Sequence, residues 1–240
     1  MREHDTMAGE DRFREWMQDT PARLDVGRTG TRPLTREMLK LRLDHAEAVD
    51  AVYGVVKEET LAEFDLFTVE TRYRDKEHYL LVPDSGRVLT EASEKELGER
   101  CIHRPQVQIV VSDGLSAKAI DDNLADVLPA LRDSLAANGL QEGTPFFVKG
   151  GRVGVMDDIG RVLAPEVLVL LIGERPGLVT ASSMSAYMCY RPAPGRKDSD
   201  RMVISNIHAS GTPPIEAGAH IGTLLRKMVE QQASGVKLIV

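Results

Sequence analysis

Three short polar segments hold the residues best suited to grip a ligand. Ser112-Asp113-Gly114-Leu115-Ser116 follows an apolar run and leads into a helical pattern. Gly114 permits a sharp turn there, and Ser116 can accept hydrogen bonds from the first helical amides. Capping alone would account for those residue types, so a helix start and a ligand-binding turn both fit. Gly173-Glu174-Arg175-Pro176-Gly177 places a carboxylate and a guanidinium directly after the most apolar stretch of the chain. Charges at the end of a buried strand need a partner, which is either neighbouring chain or a ligand. Ser205-Asn206-Ile207-His208-Ala209-Ser210-Gly211 adds amide, imidazole and hydroxyl groups able to hydrogen-bond a polar molecule.

Patterns of known catalytic spacing are missing. Gly150, Gly151 and Gly154 have the wrong spacing for a dinucleotide fingerprint, and there is no phosphate-loop, H-E-x-x-H or G-x-S-x-G string. The histidines at 4, 45, 78, 103, 208 and 220 form no i, i+4 pair, and neither cysteine lies near one, so no zinc site is expected. His45, beside Asp44 on the apolar side of a helix, reads as a structural histidine. Asp121, Asp122 and Asp126 read as the solvated face of another helix. No pair of carboxylates is set up for acid and base work. A binding subunit fits this pattern better than a complete enzyme.

The elements that must position these segments follow from hydrophobic period. Pro21, Gly27, Gly30 and Pro33 make Thr20 to Thr35 a loop. Thr35 then caps a helix to about Glu59, with Met38, Leu41, His45, Val49, Val52 and Val56 recurring at three- and four-residue steps. Beyond Phe64, apolar runs alternate with amphipathic stretches, which predicts strand and helix units in a mainly parallel sheet. The strands are Tyr79 to Val82, Gln106 to Val111, Pro145 to Val148 and Val167 to Ile172, with a weaker one at Met202 to Ser205. Helices are expected over Thr90 to Arg100 and Ser116 to Ala137, and from Thr212-Pro213 to about Ala233. The fold class is thus α/β, a helical N-terminal segment (1–62) followed by a sheet domain with flanking helices (63–240). In such sheets ligands gather at the carboxyl ends of the strands, where all three polar segments fall.

Composition narrows the class of partner. With 42% hydrophobic and 28% charged residues over 240 positions, the chain can bury a full core. Its charge of -7 and the lack of a basic block argue against nucleic acid. The longest apolar run, Val167 to Ile172, is far short of the ~20 residues that cross a bilayer, so no membrane partner is expected. Cys101 and Cys189 lie far apart with no secretory signal, which points to a reducing cytoplasm. Phe13, Trp16 and Met17 share one edge of a possible short helix that docks on a partner or on the chain's own core.

The segments VQIVVSDGLSAKAI from Val107, GTPFFVKGGRVGVMDDIG from Gly143, LLIGERPGL from Leu170 and ISNIHASGTPPIEA from Ile204 resemble the small subunit of ethanolamine ammonia-lyase. Arg28-Thr29-Gly30-Thr31-Arg32-Pro33 and the Asp44-His45 helix are similar too. The resemblance implies a Rossmann-like domain that covers the lower side of adenosylcobalamin, while a large subunit carries the catalytic residues. Together they form a hetero-oligomer that converts ethanolamine to acetaldehyde and ammonia. It also implies cobalamin contacts at Val153, Glu174 and Val203, the last falling where the family often has cysteine. No D-x-H-x-x-G string is present, so the cofactor is expected to keep its dimethylbenzimidazole on cobalt. His208 is the histidine that would contradict this. Residence in a bacterial microcompartment is left open, as is the approach of Arg28, Arg32 or Ser112 to the nucleotide tail. Two other readings of the chain are a non-catalytic nucleotide or metabolite binder and a shell-associated protein.

Overall fold

The computed structural model describes residues 16–17, 20 and 26–239. Two strands are buried at every position: β4 (Val107–Ser112), apolar but for Gln108 and Ser112, and β6 (Val167–Gly173), which carries no polar side chain. Strands of this kind need cover on both faces, and helices supply it. With β3 (Phe67–Glu70), β5 (Phe146–Lys149), β7 (Met184–Tyr190) and β8 (Arg201–Ile207) they form a six-stranded sheet in the order β3-β5-β4-β6-β7-β8. The first four in that order are parallel, whereas β7 runs antiparallel to both β6 and β8. Two reversals restore the direction, so β8 ends at the same rim as β4, β5 and β6.

Strand alternation divides the core in two. Ile109, Val111, Val169 and Leu171 point to the face covered by α5 (Ala117–Ala137) and α7 (Pro214–Gln231). Val110, Leu168, Leu170 and Ile172 point to the face covered by α4 (Glu91–Arg100) and α6 (Val155–Leu163). The result is a Rossmann-like, three-layer α/β sandwich with a mainly parallel sheet, as the sequence predicts. Between α5 and α7 the approach is close: a Cβ at Gly218 would lie 2.5 Å from Val127 O, and Ser134 Oγ donates to Ala219 O at 2.6 Å.

Strands at 106–111, 145–148, 167–172 and 202–205, and helices at 90–100 and 116–137, are present within one or two residues. Other expectations need correction. Tyr79 to Val82 is not a strand: Lys76–Leu81 is helical (α3), capped by Asp75, which accepts from His78 N–H at 2.8 Å. Four apolar residues fit either period, and Tyr79 alone is buried there while Leu81 is 81% exposed.

The helix expected over 35–59 stops at Tyr53 (α1, Thr35–Tyr53). The chain extends at Gly54, and α2 (Glu58–Glu63) follows. The break turns Val56 into the α5-side core and lets Asp121 Oδ1 accept from Thr60 Oγ1 at 2.7 Å and from Lys57 N–H at 3.2 Å. Asp121 therefore docks α2 rather than facing only solvent. Thr35 is the first helical residue instead of the cap, which is Leu34. His45 is exposed, since α1 buries only Ala51 and leaves Leu39 and Leu43 both 59% exposed. The 20–35 stretch contains a hairpin, β1 (Arg28–Thr29) with β2 (Arg32–Pro33), turning at Gly30 with φ of 64°. In α7 the cap is Pro213 and the first helical residue Pro214, one position later than expected, and the helix ends at Gln232 in the left-handed region. Cys101 and Cys189 are free and buried. Trp16 and Met17 are helical and about half exposed, whereas Phe13 lies outside the described residues.

Candidate ligand cavity at the sheet rim

The β4 and β6 loops are bound together before any ligand is considered. Leu115 N–H donates to Gly173 O at 3.1 Å, and Ser116 Oγ donates to Ala181 O at 2.6 Å while capping α5 by accepting from Ala119 N–H at 3.1 Å. Gly114 has φ of 52°, and a Cβ there would collide with Gly173 O and Ile172. Glycine is required at that turn because the two loops meet backbone to backbone.

Asp113 ties the same loop to β5. Its Oδ1 accepts from Gly150 N–H at 2.8 Å and from Ser112 Oγ at 3.3 Å. Burial pushes its carboxyl above the usual carboxylate range, against the opposing pull of Lys76 and of these hydrogen bonds. Lys76 is lowered, chiefly by burial. It stands 5.0 Å from the Tyr79 ring, and the Arg152 guanidinium lies 4.1 Å from the same ring. Tyr79 OH donates to Gly151 O at 2.8 Å, and its buried phenol is raised well above its ordinary range. An aromatic ring clamped between cations makes a rigid wall.

Glu174 bridges the next three strands. Its N–H donates to Ser183 O at 2.9 Å, and its Oε1 accepts from Ser185 Oγ at 2.5 Å and from Asn206 N–H at 2.9 Å. Both side-chain bonds fall on Oε1, so Oε2 has no partner among the described residues. Asn206 itself sits at φ of 62°, a conformation asparagine tolerates better than most residues.

These loops enclose a cavity of about 260 Å³ whose lining includes Val153, Glu174, Arg175, Tyr187 and Ser205. Two of the three expected contact positions, Val153 and Glu174, therefore line one cavity. Val203 is paired with Tyr187 across the sheet and is 48% exposed, two residues before Ser205 on β8. Alternation puts it on the face of β8 that Ser205 presents to the cavity, just outside the lining. Arg28 and Arg32 sit on the exposed hairpin and do not line it. Ser112 is buried behind the Gly151 turn, where an added Cβ would lie 2.5 Å from its hydroxyl. His208 is buried, with Nε2 2.8 Å from Asn206 Oδ1 and Nδ1 accepting from Ser210 N–H at 3.2 Å. It shapes the β8 loop rather than lining the cavity. Among the described residues no group of three or more His, Cys, Asp or Glu side chains is arranged to hold a metal ion.

Sequence reasoning missed Tyr79, Arg152, Ser185 and Tyr187 as lining residues. Arg152 stood beside Val153 in plain view. Tyr187 and Ser185 lie on β7, which was not expected as a strand because Met184-Ser185-Ala186-Tyr187-Met188-Cys189-Tyr190 shows no strong β-branched run.

The architecture defines an α/β protein with a cavity at the carboxyl rim of a mainly parallel sheet, the place where such folds gather ligands. A family model described as ethanolamine ammonia-lyase light chain matches residues 10–239. Similar proteins include the ethanolamine ammonia-lyase small subunits of Fusobacterium nucleatum subsp. nucleatum (50% identical over 226 residues, 94% of this chain and 77% of that protein) and of Clostridioides difficile (47% identical over 219 residues, 91% and 75%). The small subunit of Listeria monocytogenes serovar 1/2a is 44% identical over 221 residues, covering 92% of this chain and 75% of its own length. The chain belongs to the ethanolamine ammonia-lyase light chain family, the small-subunit family of a lyase.

Proposed function

We propose that this chain is the small subunit of an adenosylcobalamin-dependent ethanolamine ammonia-lyase, holding the lower side of the cofactor against a large catalytic subunit. The observation that carries the reading is the single cavity lined by both Val153 and Glu174, with Glu174 Oε2 left without a partner among the described residues. A corrin ring is apolar across its body and fringed by primary amides. Val153 and Tyr187 suit the body, and the open carboxylate oxygen can accept from an amide N–H. Val203, at the outer edge, is the third contact, made through its backbone.

Size argues for a partner. A cavity of about 260 Å³ is smaller than the ~300–1,000 Å³ sites that enclose a drug-sized ligand. It takes one edge of a corrin and leaves the rest to be covered. The exposed Leu39 and Leu43, one turn apart on α1, also support an assembled state, because neighbouring exposed apolar side chains suit a protein–protein contact. The unit formed by 63–240 would be the cofactor domain, and 1–62 an extension to it.

When bound, adenosylcobalamin supplies the radical chemistry that removes ammonia from ethanolamine to give acetaldehyde. This chain's part is to bind and orient: Glu174 fixes the register of one corrin edge, Val153 packs beneath it, and the Tyr79-Arg152 wall limits access of water. No proton transfer to substrate is assigned to it, and the cofactor would keep its own dimethylbenzimidazole on cobalt, with no histidine of this chain supplied in its place. No helix among the described residues is long and apolar enough to cross a membrane. A cytoplasmic setting, inside or outside a microcompartment, completes the proposal.

The test is co-expression with a large subunit, addition of adenosylcobalamin and ethanolamine, and assay of acetaldehyde together with the cobalt(II) radical signal. A pure complex that gives neither would overturn the assignment. Nitrogen-15-labelled protein should show no histidine-derived coupling to cobalt, and such coupling, lost on His208→Ala, would refute the retained dimethylbenzimidazole.

A further inference from the structure

One side of α1 carries a charge order that works against its own helix. Arg36, Lys40, Leu43, Glu47 and Asp50 recur at steps of four, three, four and three residues, so they share one stripe, and all five are exposed. Arg36 stands in the first turn and Asp50 in the last, the reverse of what the helix dipole favours. Like charges also adjoin, Arg36 with Lys40 and Glu47 with Asp50, at spacings where they repel. Glu37 relieves this at one end only, through a pair with Arg36 at 3.1 Å in which the arginine is largely exposed. Lys40, Glu47 and Asp50 form no ion pair among the described residues.

Such a cost is offset when the stripe meets a surface of the opposite order, and the stripe itself is that surface. Arg36 and Asp50 each lie seven residues from Leu43, one on either side, while Lys40 and Glu47 lie three and four residues away. Two copies of α1 laid antiparallel across Leu43 set each Arg36 against the Asp50 of the other copy and each Lys40 beside its Glu47. Leu43 then meets Leu43 on the two-fold axis, with exposed Leu39 and Ala46 completing an apolar centre.

The surroundings of the helix carry the same sign at each end. Glu47 and Asp50 line a groove of about 420 Å³ with Asp121 and Asp122, facing Lys57 and Lys118, and Lys118 is already paired with Asp122 at 2.6 Å. At the other end the hairpin carries exposed Arg32, and Leu34 N–H ties that hairpin to the helix start by donating to Gly27 O at 2.8 Å. In the antiparallel arrangement Arg32 faces the acidic groove of the second copy.

We infer that α1 is a self-complementary contact through which two copies of this chain pair about a two-fold axis. The 19-residue helix is about 28 Å long at ~1.5 Å per residue, which is short for an interface that must stand alone. The contact therefore suits small subunits already held in a larger assembly. It does not depend on the cobalamin reading.

Cross-linking of the full chain, alone and in complex with the large subunit, tests the pairing. A residue on the axis meets its own copy, so Leu43→Cys should give disulfide-linked pairs of small subunits on mild oxidation, the native Cys101 and Cys189 being buried. Leu41→Cys, exposed on another side of the same helix, should give at least about tenfold less. In the Leu43→Cys background, Arg36→Glu and Asp50→Arg should each lower the yield about tenfold, because by symmetry each places like charges at two contacts. Both reversals in one chain should restore it to within about twofold, since every reversed charge again meets its opposite. Equal yields at 41 and 43, or no restoration by the double reversal, would overturn the pairing. Cross-linking of the chain alone that disappears in the complex would give this side of α1 to the large subunit and overturn the pairing in the assembled enzyme.

Discussion

The carboxylate of Glu174 accepts the backbone N–H of Asn206 at 2.9 Å, joining the end of β6 to the end of β8 although 32 residues separate them. That bond sets the side chain across the mouth of the cavity. It also makes the carboxylate's two oxygens unequal, one anchoring the rim and one open.

Glu174→Gln keeps an acceptor for Asn206 while removing the charge. Cobalamin affinity of the complex should fall about tenfold, the scale of a weakened charge-assisted hydrogen bond, with turnover at saturating cofactor near that of the parent. Unchanged affinity with halted turnover would move Glu174 from binding to proton transfer. Absorbance titration of the bound corrinoid, paired with steady-state rates, makes the measurement.

Val153→Asp puts a carboxylate against the apolar body of the ligand and should cost at least about tenfold in cobalamin affinity. Val203→Cys, half exposed and outside the lining, should stay within about twofold. A large gain from the thiol would show that the side chain rather than the backbone makes the contact.

Gly114→Ala would need an alanine at positive φ whose methyl collides with Gly173 O and Ile172. The combined strain and overpacking amount to about 3 kcal/mol, read as a lowered urea midpoint with the slope unchanged. A loss below about 1 kcal/mol would mean that the β4 and β6 loops can part.

Asp113 has its folded pKa raised by burial, so it stabilises the fold fully below the ordinary carboxylate value near 4 and loses that contribution as pH rises through the folded value. Asp113→Asn does not titrate and its amide oxygen can still accept from Gly150 N–H. The stability difference between variant and parent should therefore move in the variant's favour as pH increases from about 4 toward neutrality. Urea melts across that range check it, and a difference independent of pH would contradict the shift.

Much of the fold was readable because β6 is uniformly apolar and β4 nearly so, and because α5 carries its cap, Ser116, in plain sequence. The rim loops were readable for the same reason, since they follow those strands. β7 and α6 were hidden: Met184 to Tyr190 alternates small and large side chains without a β-branched signature, and Val155 to Leu163 is short and begins after a glycine run that offers no side-chain cap. Tyr79 to Val82 misled because burial, which decides the period, depends on a wall that only the tertiary fold supplies. Val153 and Glu174 came from resemblance; their placement on one cavity came from β6 and α6 meeting at a common rim.

The return of β8 to the direction of β6 bears on biosynthesis. On the ribosome, Glu174 is made well before the Asn206 amide that anchors it, and the chain between them must first lay down both antiparallel strands. A nascent or prematurely terminated chain thus has the glutamate without its orientation. Under the cobalamin proposal, loading of the vitamin would report that translation has passed β8, which keeps a scarce cofactor off unfinished polypeptide.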